Sequence, residues 1–64
     1  MIDQATLSVL WQCLQNIFKY KEGDKILYDD IELACEIEHI DFDSILLNFE
    51  QFENFTNTTI IVYI

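Results

Sequence analysis

Apolar residues recur along this chain at helical and then at strand-like spacing. Leu7, Leu10, Leu14 and Ile17 lie three and four apart, with Trp11 and Phe18 widening the stripe. That spacing predicts a helix from about Asp3 to Lys21, with Asp3 as its N-cap. Lys19 and Lys21 would complement the negative end of its dipole, and Gly23 would supply a left-handed stop. Lys25, Ile26 and Leu27 then read as a brief extended piece. Asp29 stands three residues before Glu32, an arrangement similar to a capping box, and opens a second helix. Its apolar residues are Ile31, Leu33, Ala34 and Ile37, and it should end near Glu38 or His39. A third helix is expected from about Asp41, whose side chain can cap it, to about Glu53 on the stripe Phe42, Ile45, Phe49 and Phe52, with Leu46 and Leu47 on either side. Thr58 to Ile64 is β-branched and aromatic without Gly or Pro, which predicts a strand.

The expected fold class is therefore mainly α with a small β element: three helices and a short two-stranded sheet in one domain spanning residues 1–64. The chain has 64 residues, of which 52% are apolar. So short a chain encloses only a thin core, and some apolar surface is left for another molecule. Val9, Cys13 and Tyr20 lie outside the main stripe of the first helix, and are the expected interface of a symmetric homodimer.

From Leu33 to Phe52 the chain resembles the helix-turn-helix of winged-helix domains. Leu33-Ala34 stands where that family places a Leu-Ala pair, Ile37 at the next core position and Ile40 at the apolar turn position. Ile45, Phe49 and Phe52 match the core-facing positions of the recognition helix. The resemblance implies a winged-helix-like core, with Ile26-Leu27 and the C-terminal run as its two strands. Two departures accompany it: Glu38 sits about where the turn glycine usually falls, and the chain has room for one wing strand.

Charge separates that scaffold from DNA binding. The net charge is −9, with twelve Asp and Glu, three Lys and no Arg. Acids and lysines cancel within residues 1–25, so the whole excess lies in residues 26–64, which hold nine acids and neither Lys nor Arg. Such a segment repels phosphates and anionic lipid. Direct nucleic-acid binding and membrane attachment are excluded on this ground. The longest uninterrupted apolar run, Ile60 to Ile64, falls far short of the ~20 residues that span a bilayer. The N-terminus also lacks the positive charge of a signal peptide. A cytoplasmic protein with free thiols is expected.

Little catalytic chemistry is available. His39 is the single histidine, and Gly23 stands alone, so no phosphate-cradling loop exists. Cys35 and His39 have the i, i+4 spacing of a metal-ligand pair, but no CxxC accompanies them. Asp41-Phe42-Asp43 lacks the glycine of a calcium loop. No enzyme activity, metal or cofactor is expected.

What remains is a one-signed surface. Carboxylates in a row approximate phosphates and suit a basic groove. Small acidic proteins of phages and mobile elements that occlude nucleic-acid-binding enzymes, including anti-CRISPR and anti-restriction inhibitors, are similar in size and charge. The expected function is a non-enzymatic inhibitor or adaptor that binds a basic surface of a nucleic-acid-handling protein through Asp29, Asp30, Glu32, Glu36, Asp41, Asp43, Glu50 and Glu53. The alternative is a structural or oligomerisation module whose acidic face is only solubilising.

Overall fold

A computed structural model describes residues 1–62. The elements run α1 (Gln4–Asn16), β1 (Lys25–Leu27), α2 (Tyr28–Glu38), α3 (Phe42–Leu46), α4 (Phe49–Thr56) and β2 (Thr59–Ile61). The fold class expected from the pattern holds: helices dominate, and one two-stranded sheet joins β1 to β2. The strands are parallel, with Ile26 opposite Ile60, so the chain between them crosses over through α2, α3 and α4. Of the strand expected over residues 58–64, positions 63 and 64 lie outside the described residues.

The core sits between α1 and α2 and is closed by the later helices. Leu7, Leu10 and Leu14 of α1 meet Ile26, Ile31, Ala34, Cys35, Ile45 and Phe52. Ala34 and Cys35 are small, so α1 can approach α2 closely where the two helices pack. Tyr28, Phe42 and Phe49 form an edge-on trio beside this core, with centroids 5.3 to 6.3 Å apart. Gln51 ties the N-terminal segment to α4, its side chain accepting from the Ile2 amide at 2.8 Å and donating to the Ile2 carbonyl at 2.7 Å.

Three expectations are corrected here. First, α1 stops at Asn16, well before Lys21. Lys19 takes a left-handed φ of 63° and Tyr20 donates its amide to the Leu14 carbonyl, which turns the chain back over the end of the helix. Ile17 is consequently exposed, and Gly23 (φ 90°) belongs to the following turn, its amide bonded to the Asn57 carbonyl. Second, the third helix is two helices. At Asn48 the backbone leaves the helical region, and the side-chain amide donates to the Ser44 carbonyl at 2.8 Å. This local bond ends α3 while the Asn48 carbonyl starts α4 by accepting from Phe52.

Third, the expected caps do not cap. Asp3 and Asp41 occupy N-cap positions without a side-chain bond to the helix amides. Asp29 and Asp30 lie inside the first turn of α2, whose N-cap is Leu27. Their charge still favours the positive end of the dipole. The ends of α2 and α4 are set instead by His39 (φ 57°) and Asn57 (φ 55°), both left-handed. Behind each, the next amide reaches back across the turn: Ile40 to Cys35 at 2.9 Å and Thr58 to Glu53 at 3.2 Å.

Candidate partner-binding surface

The eight singled-out acids divide by what they touch. Asp29, Glu32, Glu36, Asp43 and Glu50 are exposed and have no side-chain hydrogen bond within the described residues. Asp41 is exposed too, but one carboxylate oxygen accepts from the Ser44 hydroxyl at 2.8 Å. Asp30 and Glu53 are half-buried and serve the fold. The Tyr20 hydroxyl donates to Asp30 Oδ2 and accepts from the Leu27 amide, which pins the 17–24 turn to the junction of β1 and α2. Glu53 Oε2 accepts from the Ile60 amide at 2.7 Å.

The exposed acids begin or line successive helices. Asp29 opens α2, Asp43 lies in the first turn of α3, and Glu50 in that of α4. Glu32 and Glu36 continue from Asp29 along the solvent side of α2.

The apolar residues of α2 are placed differently from the expectation. Leu33 and Ile37, assigned to the core by the helix-turn-helix resemblance, are 49% and 46% exposed. Ile31, Ala34 and Cys35 are the buried side instead. At the corner between α3 and α4, Leu46 is partly exposed and Leu47 is 84% exposed. Sequence reasoning missed Leu33 and Ile37 as surface residues. Asp29, four residues before Leu33, and Glu36, three after it, were the available signal, since positions three and four apart share one side of the helix and Ile37 follows Leu33 by four.

Of the three residues expected at a dimer interface, Val9 alone is exposed. Cys13 is corrected: at 5% exposure it packs inward among the leucines of α1. Tyr20 is half-buried, and its hydroxyl is engaged by Asp30 and Leu27.

The thiols are poorly suited to chemistry. Burial pushes the Cys35 thiol up to about 11, with the neighbouring Cys13, Asp41 and Glu32 adding to it. Burial also raises Cys13, assisted by Glu38. Both are free and protonated at neutral pH, hence weak nucleophiles. His39, four residues beyond Cys35, is exposed at the helix end. Among the described residues no group of three potential ligands could hold a metal ion. A shallow cleft of about 360 Å³ opens where Ile2, Asp3 and Thr6 face His39, Asp41 and Ser44. Among the described residues no helix is long and apolar enough to cross a membrane.

Comparison with protein-family models, curated proteins and solved structures finds no match.

Proposed function

We propose that this chain is a non-enzymatic acidic binding domain that occludes a basic surface on a nucleic-acid-handling protein, in the manner of a phage or mobile-element inhibitor. The observation that carries this reading is the segregation of charge onto exposed helix positions. Beyond Lys25 no Lys or Arg occurs, and Asp29, Glu32, Glu36, Asp43 and Glu50 all face solvent. A surface that serves solubility alone does well with both signs interspersed. One sign confined to one part of the chain favours docking against the opposite sign and speeds encounter.

The scaffold beneath this surface is winged-helix-like in element order, helix, strand, helix, two short helices and strand. Where a DNA reader would expose Arg or Lys, this chain carries Asp41, Asp43, Asn48, Glu50, Gln51 and Glu53 and no cation. The scaffold accordingly offers carboxylates to a protein surface and no cationic reading helix to DNA.

The test is a salt titration on the partner recovered by affinity capture, run beside a variant with Asp29→Asn, Glu32→Gln, Glu36→Gln, Asp43→Asn and Glu50→Gln. Binding should weaken steeply with salt and with neutralisation, and the wild-type chain should compete with the partner's nucleic acid. Binding indifferent to both would replace this reading with that of a structural module.

A further inference from the structure

The outward side of α2 carries more than charge. Ile31, Ala34 and Cys35 face the core, while Asp29, Glu32, Leu33, Glu36 and Ile37 face solvent. With 3.6 residues per turn, Asp29, Glu32 and Glu36 align along one edge of that face. Leu33 and Ile37, four apart, form an aliphatic ridge along its other edge. Single exposed leucines are ordinary on any protein surface. Two aliphatic residues paired on consecutive turns, each about half exposed and railed by three carboxylates, are a contiguous mixed surface. A purely solvating helix face would be polar throughout.

We propose that this face docks an amphipathic helix of a protein partner, its aliphatic side chains seated on Leu33 and Ile37 and its Lys or Arg side chains facing Asp29, Glu32 and Glu36. The inference rests on the reading of the chain as an acidic binding domain and narrows its partner. Phosphate mimicry alone gives no role to Leu33 and Ile37, whereas a basic helix with an apolar seam uses both rows. Charge complementarity selects that occupant: α2 carries no Lys or Arg, so an acidic helix would find no partner on it for its charges and a neutral one would leave its carboxylates unpaired. The eleven residues of α2 extend about 16 Å, which matches roughly three turns of a partner helix. The aliphatic ridge then fixes register and orientation, and the carboxylate rail supplies the salt-sensitive attraction.

Fluorescence anisotropy with two labelled synthetic peptides tests this on the intact chain. One peptide is a helical Leu/Lys amphipath, the other an oligolysine of the same net charge. The wild type should prefer the amphipath by about ten-fold, a difference of about 1.4 kcal/mol. Leu33→Ser with Ile37→Ser should erase that preference and leave the oligolysine affinity unchanged. Glu32→Gln with Glu36→Gln should weaken both peptides, and Leu47→Ser neither. These substitutions are at exposed positions, and circular dichroism melts verify that each variant is folded. Equal affinity for the two peptides, or a preference that survives loss of Leu33 and Ile37, overturns the inference and leaves the acidic binding reading standing. Insensitivity of both peptides to loss of Glu32 and Glu36 overturns this face and counts against that reading as well. A loss with Leu47→Ser equal to that of the double serine variant also overturns it, because any exposed leucine would then suffice. So does a wild-type dimer in sedimentation that the double serine variant abolishes, since a second copy would then cover the ridge.

Discussion

Glu53 accepts the backbone amide of Ile60 through its carboxylate, at 2.7 Å, while its own carbonyl accepts from Thr58. One residue near the end of α4 therefore fixes both the turn into β2 and the Ile60 amide of that strand. The Thr59 amide points toward β1, bonding the Asp24 carbonyl at 3.1 Å, so alternation sends the Ile60 amide to the outer edge of the sheet. There a charged carboxylate occupies the site where a neighbouring strand would add. That arrangement blunts the edge of an uncharged, aliphatic strand.

Replacing Glu53 separates this role from partner binding. Glu53→Ala removes the acceptor and should lower stability by about 1.5–3 kcal/mol, the usual range for a lost bond to a charged group. Glu53→Gln keeps an acceptor oxygen and should lose less than half as much. Urea unfolding midpoints check the order. An alanine midpoint equal to that of the wild type would show that the bond contributes nothing to stability.

Alkaline pH should unfold the domain early. The Cys35 thiol ordinarily loses its proton near 9 and is held to about 11 in the fold, while Cys13 and Tyr20 shift in the same direction. For Tyr20 the causes are burial first and its hydrogen bond to Asp30 second. Above pH 9 the unfolded chain releases the two thiol protons, and above pH 10 that of Tyr20, while the folded chain keeps them, so the unfolded state gains. Stability is thus complete below pH 9 and falls as pH rises toward 11. Melting temperature measured across that window should drop, and Cys35→Ala should make the slope shallower. An unchanged slope in that variant would remove Cys35 as the cause. At neutral pH a disulfide reagent should label both thiols only as fast as the domain opens.

The left-handed helix ends leave room for stabilisation. His39 stands at φ 57°, where a side chain costs about 1 kcal/mol relative to glycine. Its ring is exposed, so His39→Gly relieves strain without emptying the core. The melt should shift upward, by about 1 kcal/mol or less, because glycine also gains entropy in the unfolded chain. A destabilised variant would show that the imidazole makes a contribution larger than the strain.

Periodicity and charge, taken along the sequence, determined a good deal. The order helix, strand, helix, helix, strand followed from the spacing of Leu7, Leu10 and Leu14, from Ile26-Leu27 and from the β-branched C-terminal run. The confinement of net charge to residues 26–64 is a property of composition alone and needs no fold. Tertiary structure decided which of two competing stripes on α2 is buried. Ile31, Ala34 and Cys35 compete with Leu33, Ala34 and Ile37, and a single-sequence pattern weights the larger aliphatics. Packing against α1 favours the side with small Ala34 and Cys35, because close approach of two helices brings Ile31 and the backbone into more contacts than the Leu33 and Ile37 side would allow. The same dependence explains the broken third helix and the half-buried acids. Asn48 ends α3 through a bond to Ser44, and Asp30 and Glu53 are drawn inward by Tyr20 and by an edge amide of β2. Each needs a donor or acceptor that only folding brings within reach, so their charge was legible in the sequence and their partners were not.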